Sequence, residues 1–357
     1  MKNEVVIVVN PGSTSTKIAF YNRQGELVSN SLKHTQDELE PFKRISDQLL
    51  FRLKLIKSIV DNWLSENPEF VVVGVVGRGG IVKQLSGGTY KINDVFLLDA
   101  ASGKYGDHAS NLGSLLADKL KVEFNLKESY TVDPVSSGNM WPMAEISGVP
   151  EIVRVGRGHP LNIKMTARKI AAKQNIPFKE TNYVIAHLGG GISISLVIGG
   201  KFVDVNDGLM GMGPFSPNRA GALPLRGLMD LCYSKPRNEV ETLLSKNSGL
   251  KAYLGTEDVQ EIIVLVEQGN EKATLVFEAF VYQIAKEIGA YFAASKAKAQ
   301  AIIITGGVAY NDKFIAALKD YVETLTEFFV YPGENEMEAL AEGIFRVLDG
   351  EEEAQEY

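Results

Sequence analysis

One folding pattern occurs twice in the chain. Val5 to Val9 is a run of β-branched residues that reads as a buried strand. It passes through Asn10 into the polar turn Pro11-Gly12-Ser13-Thr14-Ser15-Thr16, then into a second strand over Lys17 to Tyr21 and a turn at Arg23-Gln24-Gly25. Tyr183 to His187 is likewise a strand, followed by Leu188-Gly189-Gly190-Gly191, a further strand and a turn at Gly199-Gly200. The interval from Asn10 to Arg23 equals that from His187 to Gly200, and the copies lie about half a chain length apart. Any two hairpins with glycine turns share a general look. The equal interval favours two similar domains, with a cleft between them as a usual place for a ligand. A length of 357 residues also exceeds what one ordinary core serves.

The rest of the chain reads as α/β. Ile45, Leu49, Leu53, Ile56, Val60 and Trp63 recur at three or four positions and predict an amphipathic helix over 42–64. A strand follows over Val71 to Val76. Helices are expected near 108–120, 162–174, 272–295, 312–325 and 336–348, and strands near 192–198, 201–205, 301–305 and 327–331.

Composition excludes several classes of function. Apolar residues make up 45% and charged residues 23%, as in a globular protein. The net charge is −7 with no basic, aromatic-laced block, so no nucleic acid partner is expected. A single cysteine, Cys232, makes no internal disulfide and has no zinc-site spacing, so it reads as an inert thiol in a reducing compartment. The apolar runs Val71 to Val76 and Ile262 to Val266 are far shorter than the ~20 residues a membrane helix needs. No signal-peptide layout opens the sequence, and the expected location is cytoplasmic.

The turns carry the chemistry. Asn10 to Lys17 is rich in Gly, Ser and Thr, which offer N–H groups and hydroxyls to phosphate oxygens. It is not a P-loop, because no glycine precedes Lys17 and a strand follows instead of a helix. Read alone, it suits a phosphate-binding hairpin and a solvated turn equally. Three glycines after His187 exceed what a tight hairpin requires and let a backbone approach a ligand closely. Ala301 to Asn311 is a buried strand running into Gly306-Gly307 and a helix, where N–H groups can meet a nucleotide or simply turn the chain. Arg78, between Gly77 and Gly79-Gly80, and Arg219, in a loop stiffened by Pro214 and Pro217, are candidate oxyanion clamps. Asp133 stands at a strand exit before Pro134.

The strings NPGSTSTK at 10–17, VGRGG at 76–80, DPVSSGNMWP at 133–142, HLGGGIS at 187–193 and GPFSPNRAGALP at 213–224 resemble the acetokinase family, within the actin-like ATPase and sugar kinase superfamily. The likeness covers nearly the whole chain, and the last string resembles the butyrate branch more than the acetate branch. It implies two actin-like (ribonuclease H-like) domains with a ligand cleft between them. The first comprises residues 1–148 with 338–357 packed back on it, and the second, nucleotide-binding domain 149–337.

The resemblance also implies roles. Asn10, Ser13, Ser15 and Lys17 would lie near the β- and γ-phosphates of ATP. Gly189, Gly190, Gly306, Gly307 and Asn311 would contact nucleotide. Arg78 and Arg219 would hold the acid's carboxylate and the phosphoryl group in flight. Asp133 would orient Mg2+ or the reacting groups. His187, with His108, would stabilise the transition state. Asn10 and Glu336, or Glu338 in its place, would serve the metal. Small residues at Ala186 and Gly80 would leave room for the acyl tail. The implied reaction is ATP plus butyrate giving ADP plus butyryl phosphate, with isobutyrate, propionate or acetate as alternative acids, in an enzyme that is at least a dimer. An actin- or chaperone-like switch has no use for two arginines aimed at an acid. A sugar kinase would need a carboxylate base.

Overall fold

The computed structural model describes residues 3–357. Their contacts divide the chain into two units, one running through Ser137 and including Asn335–Tyr357, the other Gly138–Glu334. Residues 138–148, which the sequence reading assigns to the first domain, belong with the second. There the N–H groups of Asn139 and Trp141 donate to the carbonyls of Phe202 and Val203, both at 2.9 Å.

The first unit holds β1 (Asn3–Pro11), β2 (Ser15–Asn22), β3 (Gly25–Lys33), β4 (Phe70–Gly77), β5 (Thr89–Lys91) and β6 (Tyr130–Val132), in the order β3-β2-β1-β4-β6-β5. β1, β2 and β3 form an antiparallel meander, while β1, β4 and β6 run parallel. The second unit holds β7 (Asn182–Leu188), β8 (Ile192–Ile198), β9 (Lys201–Val205), β10 (Ala301–Gly306) and β11 (Glu327–Pro332), in the order β11-β10-β7-β8-β9. Here β7, β8 and β9 form the meander and β7, β10 and β11 run parallel. Apart from β5, which adds antiparallel to β6, the two sheets thus share one topology, and the repeat extends to detail. Asn10 pairs with Lys17 and His187 with Ser193. The meander register slips at Phe20/Tyr21 in one and at Leu196/Val197 in the other, equally far beyond those partners.

Both faces of β1 are covered, which is why Val5 to Val9 is a continuous apolar run and not an alternation. Val5, Ile7 and Val9 share a core with Ile56 and Val60 of helix Leu49–Glu66 and with Leu112, Leu116 and Leu120 of helix Asn111–Glu123. Val6 and Val8, also fully buried, point to the other face. Helix Glu336–Leu348 packs against β1, β4 and β6, with Ile344 Cδ1 just 2.6 Å from where a Cβ on Gly74 would stand. In the second unit, Val184, Ala186, Ile302 and Ile304 pack under helix Glu271–Ala294 through Phe280, Ile284 and Ile288. Tyr183, Ile185 and Ile303 pack on helix Pro160–Gln174 through Ile163, Ala167 and Ile170.

The helix expected over 42–64 opens with a 3-10 turn at Ile45–Gln48 and continues as Leu49–Glu66. Helices beyond the sequence reading include Asp94–Ser102, Leu225–Ser234, Arg237–Lys246, Gly249–Leu254 and Val259–Glu267. Among the described residues no helix is long and apolar enough to cross a membrane.

Candidate active site

In open α/β sheets, ligands bind beyond the carboxyl ends of the parallel strands. In the first unit those ends present Asn10 (β1), Arg78 (β4) and Asp133 (β6). Glu336, the first residue of the helix that covers the sheet, joins them. Asn10 Nδ2 donates to Glu336 Oε2 at 2.8 Å, and Arg78 Nη2 lies 3.3 Å from Glu336 Oε1. Arg78 Nη1 donates to the carbonyl of Asp133 at 3.2 Å, and its side chain is 6% exposed. Asp133 has a φ of 40°, a left-handed conformation that aspartate adopts at some cost. Its Oδ1 accepts the Gly88 N–H at 2.8 Å. Burial, then Glu26, raise the pKa of the Tyr21 hydroxyl, and the charge of Glu338 adds to this.

His108 belongs to the same group. Burial, and then the charge of Arg78, hold its pKa below the ordinary histidine value, with Glu336 opposing. Its Nδ1 accepts the Ser110 N–H at 3.2 Å, so the neutral ring carries its proton on Nε2. On the β1–β2 hairpin, Ser13 and Lys17 are exposed and Ser15 is half-buried.

In the second unit, His187 stands at the end of β7 and is 1% exposed. Its ring stacks on His159 with centroids 3.9 Å apart. Asn162 Nδ2 lies 2.8 Å from His187 Nδ1 and also faces the carbonyl of Gly333 at 3.4 Å. A carbonyl only accepts, so the amide donates on this side and His187 Nδ1 accepts. The histidine proton therefore sits on Nε2, which faces Glu334 Oε1 at 3.7 Å and the backbone of Gly189.

The loop bearing Arg219 is tied to this strand end. Ser216 Oγ donates to the carbonyl of Gly190 at 2.8 Å and accepts the Arg219 N–H at 3.1 Å. Arg219 Nη1 donates to the carbonyl of Gly208 and lies 2.3 Å from where a Cβ on Gly191 would stand, so only glycine admits the guanidinium there. Its Nε–H is buried without an acceptor among the described residues, as an anion-binding group would be. Burial lowers its pKa, and Asp207 opposes the shift.

A cavity of about 440 Å³ opens between Gly189-Gly190, Pro217-Asn218, Asp258-Val259 and Gly307 to Asn311. Gly307 and Gly190 have nothing within 4 Å of a Cβ, so their bareness faces open space. Gly306 is different. Its φ is 91°, and a Cβ would stand 2.4 Å from the carbonyl oxygen of Leu188. Asn311 caps helix Asp312–Val322, its Oδ1 accepting the Phe314 N–H at 2.9 Å, an arrangement worth about 1 kcal/mol. Its Nδ2 donates to Gln260 Oε1 at 2.8 Å.

Two expectations are corrected. A Cβ on Gly80 would stand 1.9 Å from Asn111 Oδ1 and 2.5 Å from its backbone nitrogen. The glycine lets the Arg78 loop lie against the start of helix Asn111–Glu123, and the space beside it is full. Ala186 is fully buried and points into the core with Val184 and Leu188, on the face of β7 opposite His187. Its size answers to packing and not to an acyl tail. The sequence reading also missed His159, Asn162 and Glu334. A signal existed for Asn162, which is fully buried in a helix whose neighbouring positions are apolar.

Known proteins resemble this chain over nearly its whole length. The acetokinase family profile matches residues 151–340. A relative from Caldanaerobacter subterraneus subsp. tengcongensis, named probable butyrate kinase 2, is 42% identical over 97% of this chain and 98% of its own. One from Clostridium botulinum, named probable butyrate kinase, is 40% identical over 99% of both chains. The crystal structure of Porphyromonas gingivalis acetate kinase superimposes with a TM-score of 0.78 at 18% identity, covering 96% of this chain and 99% of that one. A propionate kinase from Francisella tularensis subsp. tularensis gives 0.73 at 18% identity, over 95% and 98%. These structures share the fold of two actin-like domains. With nearly its whole length matched at about 40% identity, the chain belongs to the acetokinase family.

Proposed function

We propose that the chain transfers the γ-phosphoryl group of ATP to the carboxylate of butyrate, giving butyryl phosphate and ADP by direct in-line displacement. A carboxylate oxygen attacks the γ-phosphorus as the bond to the ADP oxygen breaks. The observation that carries the reading is the buried Arg78, held at the end of β4 by the Asp133 carbonyl and Glu336. Family membership and the names of the relatives support the carboxylate kinase activity.

The chemistry needs no general base, because a carboxylic acid with a pKa near ~4 is already ionised at neutral pH. The difficulty is to bring an anion to a polyanion. Arg78 and Arg219 supply fixed positive charge, and a planar guanidinium meets carboxylate and phosphoryl oxygens bidentately. His108 and His187, each protonated on Nε2, can donate to oxygens that gain charge in flight. Asp133 orients this group through its backbone carbonyl on Arg78. Gly189, Gly190, Gly307 and Asn311 line the cavity that takes nucleotide, with Gly306 shaping its floor, and the Asn10 to Lys17 hairpin, with Ser13 and Ser15, meets the phosphates.

Mg2+ fits this donor set. A magnesium ion on a nucleotide takes one or two carboxylates and leaves its other positions to water and phosphate. Glu336, with the amide of Asn10 on its carboxylate, is such a carboxylate. The bound ion would neutralise phosphate charge.

The test is an acyl-hydroxamate assay with ATP and Mg2+ against butyrate, isobutyrate, propionate and acetate, with glucose and glycerol as controls. Butyrate should give the highest kcat/KM. ATP consumption with a sugar and not with an acid would overturn the reading. We also infer a cytoplasmic enzyme that self-associates, at least as a dimer. Leu225, Met229 and Tyr233 form an exposed apolar stripe on helix Leu225–Ser234. Sedimentation of the parent and of Met229→Glu checks this, and a monomeric parent would refute it.

A further inference from the structure

Arg52 is the largest fully buried side chain among the described residues. It rises from helix Leu49–Glu66 into the underside of the β1–β2 hairpin. Nη1 donates to the carbonyls of Gly12 at 2.8 Å and Ser15 at 2.9 Å, and to Thr16 Oγ1 at 3.0 Å. Nη2 donates to the carbonyl of Ser13 at 3.2 Å and to Gln48 Oε1 at 2.7 Å, and Nε to the same Gln48 oxygen at 3.1 Å. Among the described residues no carboxylate pairs with it. Burial alone moves its pKa, down to about 10, so it stays charged at neutral pH. A buried cation costs stability unless its hydrogen bonds are met, and here neutral acceptors meet them without cancelling the charge.

The carbonyl arrangement is specific. The oxygens of Gly12, Ser13 and Ser15 turn inward to Arg52, and that of Thr14 accepts the His34 N–H at 2.8 Å. Every carbonyl from Gly12 to Ser15 is thus engaged by a protein donor, three of the four by Arg52. The N–H groups of Ser13 and Thr14 meet no protein acceptor among the described residues, and both residues are exposed. A turn with its carbonyls drawn in and its amides left free is an anion-binding concavity.

We propose that Arg52 is a positioning residue for the ATP phosphates. It holds the Gly12–Ser15 carbonyls inward so that the amides of Ser13 and Thr14 face the β- and γ-phosphates, and it sets an unneutralised positive charge behind them. The inference rests on the reading of the chain as an ATP-dependent carboxylate kinase. It adds to that reading a residue that touches neither substrate.

The test compares the parent with Arg52→Met, which removes charge and clamp, and Arg52→Lys, which keeps the charge but cannot span the turn. Steady-state KM for ATP and for butyrate, and calorimetric affinities for ATP and AMP, are measured on variants whose circular dichroism matches the parent. A misplaced catalytic element costs up to about 100-fold. Arg52→Met should raise KM for ATP by about 10- to 100-fold, leave KM for butyrate within about twofold, and reduce the preference for ATP over AMP. Arg52→Lys should fall between Arg52→Met and the parent. If Arg52→Met does not fold, Arg52→Lys decides alone. A parent-like KM for ATP in a folded variant would overturn the proposal. So would equal losses toward ATP, AMP and butyrate, the result of a structural role only. A parent enzyme inactive with every acid fails the kinase reading instead, and the AMP comparison tells the two failures apart.

Discussion

Arg78 and Glu336 meet at 3.3 Å, although the chain between them passes through the whole of the second unit. The contact joins the end of β4 to the start of the helix that covers the same sheet. The arginine also holds the Asp133 carbonyl. Arg78→Ala should lower kcat by on the order of 10²–10³-fold, as loss of a preorganised electrostatic group does. Arg78→Lys should recover little of it, because an ammonium cannot replace the planar fork that reaches both partners. Steady-state kinetics over ATP and butyrate checks this, and a kcat within a few-fold of the parent would remove Arg78 from the chemistry.

Gly80 and Ala186 should behave as packing positions. Gly80→Ala places a Cβ against the Asn111 backbone, and overpacking of this kind costs about 1–3 kcal/mol. Ala186→Phe forces a ring into the core with Val184 and Leu188. Both should lower the urea midpoint. In whatever folds, Ala186→Phe should depress kcat/KM for butyrate and acetate alike. A switch of preference toward acetate would return Ala186 to the acyl pocket.

Gly307 should behave in the opposite way. Nothing lies within 4 Å of a Cβ there, and the residue lines the 440 Å³ cavity. Gly307→Leu should leave Tm nearly unchanged while raising KM for ATP about tenfold or more, since the new side chain fills space that nucleotide needs. Thermal melts and kinetics on the same preparation separate the two effects.

His34 gives the fold a pH dependence. Thr16 Oγ1 accepts from Arg52 Nη1 at 3.0 Å and is hydrogen-bonded to His34 Nε2 at 2.8 Å. The ring is neutral and buried, and burial, then Arg52, lower its pKa from 6.5. Below about 6.5 the unfolded histidine gains a proton that the folded one refuses, so stability is full above that pH and falls as pH falls through the folded pKa. His34→Gln should flatten the denaturation midpoint against pH below about 6.5. An unchanged slope would show that other groups set it.

The repeat was legible because both central strands must bury two faces and both end in glycine- or serine-rich turns, features that are local in sequence. Strand ends were legible for the same reason, and with them the positions of Asn10, Arg78, Asp133 and His187 along the chain. What depends on side-chain direction was not legible. Ala186 and His187 are adjacent in sequence, yet β7 turns one into the core and the other toward Asn162. Gly80 and Gly307 look alike as letters, and only the neighbour at Asn111 or the open cavity tells them apart. Arg52 sits on a helix whose apolar period hid it, because its partners are backbone carbonyls of a distant turn.

Helix Glu336–Leu348 covers the face of β1 that presents Val6 and Val8, yet all of the second unit is synthesised between them. On the ribosome, then, Gly138–Glu334 has its full set of strands before the first sheet has its second cover. The earliest-made strand waits with an apolar face bare until the last helix emerges. A nascent chain arrested before residue 336 should expose that face to chaperones, and the contacts of Asn10 and Arg78 with Glu336 cannot form until synthesis passes this point.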